Sequence, residues 1–267
     1  MRAEDDLTAD SLQLECGEVH GHVVQMYEAD ERPLVHNVGR YLAEGLRRRQ
    51  SVVIIVGPEH RAAFFAELER LGLDPGAAER DGQLIVLDAA GTLARFMVGG
   101  YPDADRFESG VGALGRDLHA RGAGLRGYGE MVGMLWQAKE FPAAIRLEQL
   151  WEKLRKSIDF DIYCAYPIDP FDHHFQAGVL DALLCSHTRL VPTGPSDGAL
   201  ERAIERAISD MLGSNVSSLE VHAKAKHRAA WPAIPKAEAT ILWLRVNVPE
   251  RADAILARAR EYYKASA

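Results

Sequence analysis

The chain has 267 residues, with 31 Lys and Arg against 39 Asp and Glu and a formal net charge of -8. At 47% apolar and 26% charged residues, its composition is that of a globular protein and excludes a disordered chain, a collagen-like repeat and a coiled-coil rod. The acidic balance argues against a nucleic-acid binder driven by phosphate neutralisation, and no apolar run approaches the roughly 18 to 20 residues that cross a bilayer.

Residues 1–19 are polar and lack a clear period, so they read as a flexible leader. Their acidic start has no apolar h-region, and no secretory signal is expected. GHVVQMYE (21–28) reads as a strand, from its β-branched Val23 and Val24 and from Tyr27. From Pro33 a helix begins, with Leu34, Val38, Tyr41, Leu42 and Leu46 on one stripe. SVVIIVG (51–57) is a continuous apolar run, as in a parallel strand covered on both faces. Pro58 starts the next helix, lined by Phe64, Leu68 and Leu71 and ended by Gly72. LIVLD (84–88) is a third strand; a helix through Leu93 to Met97, a turn at GGYPD (99–103) and a helix from about 106 to 120 follow.

LRGYGE (125–130) is a glycine-rich strand, a Pro142-initiated helix carries Leu147, Leu150, Trp151 and Leu154, and FDIYCAYP (160–167) is the last clear strand. Residues 171–190 read as helical. Strands alternating with amphipathic helices predict an α/β fold: a mainly parallel sheet with helices on both faces. PTGPSDG (192–198) reads as a linker. Beyond it come a helix (199–212), a strand candidate ATILWLRVNV (239–248) and a final helix from about Pro249. The expected organisation is a core over 20–191 and a smaller C-terminal α/β or helical extension over 197–267. That extension carries 11 basic and 9 acidic residues, which suits docking on the acidic core or a partner.

In this order, GHVVQMYE, SVVIIVGPEHRAAF, LIVLDAAGTLARFMVGGYPD, YGEMVGMLW, RLEQLWEKL and CAYP resemble the MEDS domain, a sensory domain of methylotroph and methanogen regulators. The resemblance covers about residues 20 to 185. It implies a RecA/KaiC-like three-layer fold and a signal-sensing role, with small organic compounds as ligands. Some family members are fused to kinase or DNA-binding modules; no helix-turn-helix or kinase signature is found here.

The strand–loop–helix at 51–64 stands where a P-loop would stand. A phosphate cradle needs G-x-x-x-x-G-K-[ST]. Counting from Gly57, the sixth to eighth positions are Ala62, Ala63 and Phe64, so glycine, lysine and hydroxyl are all missing. Nucleotide hydrolysis is therefore not expected, and Asp88 at the end of LIVLD reads as strand termination. No G-x-S-x-G elbow and no complete dinucleotide G-x-G-x-x-G is present.

Candidate ligand-binding residues are polar positions on or beside the strands. On the first strand, His22 and Glu28 share one face by period-2 geometry, and Gln25 and Tyr27 share the other. Glu130 ends a strand after Gly127 and Gly129, where open α/β sheets bind ligands and where glycine lets something approach the backbone; Arg126, four residues earlier, is a pairing candidate. Trp136, with Met131 and Met134, suits either core or an apolar ligand. Cys164 and Tyr166 share a face of the last clear strand with Ile162, and the thiol reads as a buried hydrophobe rather than a nucleophile. Glu148 is a surface residue or a salt-bridge partner. Each position has a structural alternative, a satisfied core polar group for His22 and a helix-start carboxylate for Glu130.

Three widely spaced cysteines, Cys16, Cys164 and Cys185, form no disulfide framework, and a reducing cytoplasm is the expected location. Neither Cys16, His20 and His22 nor the His173–His174 pair has a zinc spacing, so no metal and no cofactor are expected. The expectation is a non-catalytic cytoplasmic sensor. It would bind a small organic ligand near His22, Glu130 and Tyr166, and relay through residues 197–267 to a signalling partner or a second copy. A degenerate RecA-like nucleotide binder and a ligand-free interaction module are the alternatives. Direct nucleic-acid and membrane contacts are not expected.

Overall fold

The computed structural model describes residues 21–27, 30–173, 175, 180, 187–191, 198–213 and 234–266. The leader, Glu28, the 192–197 linker, Cys16, His20, His174 and Cys185 lie outside these residues.

Six parallel strands form the central sheet: β1 (His22–Met26), β2 (Ser51–Val56), β3 (Leu84–Asp88), β6 (Leu125–Gly129), β7 (Asp161–Tyr166) and β8 (Arg189–Val191), in the order β3-β2-β6-β7-β1-β8. β4 (Met97–Val98) and β5 (Tyr101–Pro102) form a separate small hairpin around the GGYPD turn. α1 (Arg32–Arg47) and α2 (Pro58–Arg70) are followed by a short α3 (Pro75–Arg80), capped by the Asp74 carboxylate on the Ala77 N–H. α4 (Ala89–Phe96) is capped in the same way by Asp88, which fits its reading as a strand end. The helix expected over 106–120 is α5 (Ala104–Phe107) running through a π-helical turn, Glu108–Gly112, into α6 (Ala113–His119).

α7 (Met131–Gln137) and α8 (Phe141–Ile158) precede β7. The described residues of the extension form three helices, α9 (Ala199–Leu212), α10 (Lys236–Asn247) and α11 (Pro249–Ser266). The strand expected over 239–248 is thus a helix. Ala237 to Leu242 and Leu244 are all buried, so α10 is enclosed on most sides and shows no 3.6-residue stripe. A continuous apolar run of that kind cannot be told from a buried strand by period. The helical reading of 171–190 is corrected at its ends: residues 171–173 form a turn, and Arg189–Val191 add a strand beside β1.

Strand alternation sorts the core into two layers. Val23, Val52, Ile54, Tyr128, Tyr163 and Ala165 face α1 and α2, packing on Leu34, Val38, Tyr41, Leu42, Phe64 and Leu68. Val24, Met26, Ile55, Ile162, Cys164 and Tyr166 face the other side, with Leu147, Leu150, Trp151 and Leu154 of α8. The apolar residues of α9–α11, among them Ile204, Ile208, Ile241 and Ile255, belong to this second cluster. Each such side chain contributes about 1.5–3 kcal/mol on burial. The extension is therefore bound to the sheet's second layer by the same apolar packing that holds α8.

Candidate functional site

The residues singled out in the sequence separate onto different sides of the sheet. His22, Cys164 and Tyr166 face α8, and Trp136 meets the Tyr166 ring edge-on at a centroid distance of 5.5 Å. Gln25 faces the α1 layer, where Tyr163 donates its hydroxyl to Gln25 Oε1 at 2.6 Å. Arg126 is fully buried in that layer: it donates to the Tyr41 carbonyl at 2.9 Å and lies 4.7 Å over the Tyr41 ring. Tyr27 and Glu130 stand at the carboxyl end of the sheet. Among the described residues, His22 and Tyr166 gather around Glu148, whereas Glu130 gathers with Gly57, His60 and Tyr128. The expected Arg126–Glu130 pairing also fails, because four residues of extended strand hold the two about 13 Å apart.

Three local arrangements result. The first is a buried polar cluster between β1, β7, α8 and the segment leading into β8. His22 Nε2 lies 3.3 Å from Cys164 Sγ and 3.1 Å from Glu148 Oε2. His187 Nε2 is 3.5 Å from the other Glu148 oxygen, and its ring lies 4.0 Å from that of His22. Tyr166 donates its hydroxyl to Glu148 Oε1 at 2.5 Å. Glu152, one helical turn on, places Oε2 3.5 Å from His22 Nδ1. His22 and Cys164 are 0% exposed, Glu148 1% and His187 5%.

Burial opposes a charge on His22, but Cys164 and Glu148 beside it hold its pKa well above the ordinary value. Burial likewise opposes the Glu148 charge, and His187 and His22 outweigh it, bringing the carboxyl down to about 2. Burial and the Glu148 charge push the Cys164 thiol up to about 12. The cluster at neutral pH is therefore an imidazolium–carboxylate pair with a protonated thiol, and Glu148 rather than Cys164 supplies the negative charge.

Glu152 and His187 were not singled out, and Glu148, read as a surface residue or a salt-bridge partner, is the buried partner of His22. Glu148 did carry a signal: on α8 it occupies the stripe of Ala144, Leu147, Trp151 and Leu154, an apolar face on which a carboxylate needs a partner. His187 carried none, since it precedes a three-residue strand in a segment that reads as helix.

The second arrangement is an apolar hollow of about 30 Å³ on the α8 side of the sheet. Val53, Ile55, Leu125, Gly127 and Ile162 form its floor, Trp151 and Phe160 its walls, and Val111, Leu114 and Gly115 its roof at the π-helical turn. It exists because β6 presents Gly127 on this face. A methyl there would stand 3.5 Å from Phe160 and 3.7 Å from Ile162, in ordinary contact, and would take up part of the space.

The third is a polar clamp at the carboxyl end. Glu130 accepts from the Gly57 N–H at 2.9 Å and from the Tyr128 hydroxyl at 3.2 Å, and His60 Nδ1 lies 2.6 Å from it. His60 Nε2 is also 3.1 Å from Glu31. The α2 N-terminus, where a phosphate would bind, is thus already served by a carboxylate of the protein.

The fold and these arrangements define a helix-covered parallel-sheet domain of the α/β class, with a buried polar cluster and an apolar hollow beneath its longest helix before the extension. The family model that matches it, over residues 21–188, is MEDS, the methanogen/methylotroph, DcmR sensory domain. The match spans more than half of the chain, which therefore belongs to the MEDS family. No curated protein matches the chain. Among the described residues, no helix is long and apolar enough to cross a membrane.

Proposed function

We propose that the chain is a non-catalytic sensor in which a small apolar organic compound enters the hollow over Gly127 and shifts the π-helical turn above it. The observation that carries this reading is the hollow itself: an apolar space, left open by a glycine, inside a domain of a sensory family. Its volume is room for about two water-sized groups. A larger molecule must displace the roof, and a ligand alters a conformational balance only by preferring one of its states. The π turn suits that role, because such turns are irregular hydrogen-bonded segments that recur at functional sites.

The relay runs through α8 and β7 to the extension. The turn after β7 is held by Arg245, which donates to the carbonyls of Phe171 and Asp172 at 3.1 and 2.8 Å, and by the Arg260–Asp169 ion pair. A signalling partner or a second copy then reads the position of α9–α11. The RecA/KaiC-like ancestry belongs to this proposal too. It is supported by the parallel sheet, by the lost lysine and glycine after Gly57, and by the Glu130 carboxylate where phosphate would sit.

The test is a thermal-shift screen of small uncharged organics on the full chain and on Gly127→Ala, whose methyl fits in ordinary contact. At least one compound is expected to raise the midpoint of the parent, since binding the folded state alone stabilises it. The same compound is expected to leave Gly127→Ala unmoved, with the variant's own midpoint within a few degrees of the parent. A flat screen on the parent, or equal shifts in both chains, removes the hollow as the sensing site.

A further inference from the structure

We infer that His22, Glu148, Cys164 and His187 form a closed tetrahedral site for a divalent transition metal of the zinc class. Their donor atoms all lie within 4.8 Å of one another, and all four residues are buried. Bonds of 2.0–2.3 Å to zinc span tetrahedral edges of about 3.3–3.7 Å. The observed separations already approach this: 3.3 Å from His22 Nε2 to Cys164 Sγ, 3.1 Å from His22 Nε2 to Glu148 Oε2, and 3.8 Å from Cys164 Sγ to Glu148 Oε2. His22, Glu148 and Cys164 thus stand at close to ligand spacing already, and His187, with its Nε2 3.5 Å from Glu148 Oε1 and within 4.8 Å of the other donors, completes the set by a side-chain adjustment.

The surrounding groups are those that metal ligands use. Glu152 faces the far nitrogen of His22, the carboxylate–histidine arrangement that fixes which ring nitrogen is free to ligate. Tyr166 orients the Glu148 carboxylate by donating to Oε1. The donor set is two imidazoles, one thiolate and one carboxylate. A sulfur ligand disfavours magnesium and calcium, and two imidazoles favour zinc and its neighbours. Four protein ligands with no opening to solvent make the site structural, since catalytic zinc sites keep a position for water. On binding, the Cys164 thiol and the His22 imidazolium each release a proton to solvent as the metal–sulfur and metal–nitrogen bonds form. The bound ion would then fasten β1, β7, α8 and the short edge strand β8 to one point.

The experiment uses the full chain, free of any histidine tag, stripped with a chelator under reducing conditions and dialysed against Zn²⁺ or Co²⁺. About one metal per chain is expected, together with a thiolate-to-cobalt charge-transfer band in the cobalt form. Cys164→Ser is expected to lose that band. Glu152→Gln alters only the group behind His22 and is expected to bind about 10–100-fold more weakly, the usual effect of such a change. It keeps the test decisive if Cys164→Ser fails to fold. Metal at background level after dialysis, or a band and affinity unchanged in both variants, overturns the site. A positive result does not depend on the hollow, so this proposal and the sensing proposal fail separately.

Discussion

At His22 one fully buried imidazole answers two carboxylates, Glu148 buried beside it and Glu152 partly exposed, and that position decides what its removal does. Judged on the strand alone, His22→Ala would be expected to leave folding intact and remove only the response. The buried geometry predicts otherwise. Truncation leaves the Glu148 carboxylate, 1% exposed, without the imidazole 3.1 Å from it, and breaking a buried ion pair costs about 3–5 kcal/mol. A urea midpoint for His22→Ala checks this; a loss under about 1 kcal/mol would mean that Glu148 carries no charge in the fold. At this scale much of the polar cluster was legible. Period-2 alternation placed His22 apart from Gln25 and put Cys164 beside Tyr166 on one face. Alternation does not say which helix covers that face, so Glu148 and His187 had to wait for the tertiary structure.

The clamp between α2 and the end of β6 acts at the scale of elements. Donating a hydrogen bond to the Glu130 carboxylate raises the His60 pKa against the opposing effect of burial, with Glu31 adding to the rise. A group whose folded pKa is raised contributes stability in full below its unfolded value near 6.5, and that stability is lost as pH rises through the folded value. Melts over pH 5.5 to 9 are therefore expected to show the parent losing stability relative to His60→Asn on the alkaline side, by about 1.5–3 kcal/mol, the worth of a hydrogen bond to a charged group. Parallel curves for the two proteins would count against the clamp. Elements with a clear period or a proline start, such as α1, α2 and α8, were readable from the sequence because one face of each meets solvent. α10 was not, because enclosure on most sides erases the contrast on which any period depends. The short α3 and the β8 edge strand offered too few residues for a pattern.

For the whole molecule, the sheet and the extension share one apolar cluster, and among the described residues a polar fastening joins the turn after β7 to α10 and α11. It rests on Arg245 at the Phe171 and Asp172 carbonyls and on the Arg260–Asp169 pair, with the Phe171 and Tyr263 rings 6.1 Å apart alongside. Arg245→Ala combined with Arg260→Ala is expected to weaken this docking by about 2 kcal/mol. Hydrogen exchange should then quicken in α11 while β2, β6 and β7 keep their protection. Uniform quickening across the sheet would show instead that the extension is part of the core's cooperative unit. The all-parallel sheet with helices on both faces was legible from the alternation of elements. The strand order β3-β2-β6-β7-β1-β8, which sets β1 beside β7 and so brings His22 to Cys164, was not, because it is set by crossovers that no local pattern encodes.

The place of β1 has a consequence for biosynthesis. Synthesised first among the strands, it lies between β7 and β8, the two that emerge last. At ribosomal speeds of about 5–20 residues per second, it waits roughly 7–30 s for its neighbours. During that interval its apolar residues and His22 have no pairing edge to join, so a nascent chain must be shielded by other means until β7 and then β8 have emerged.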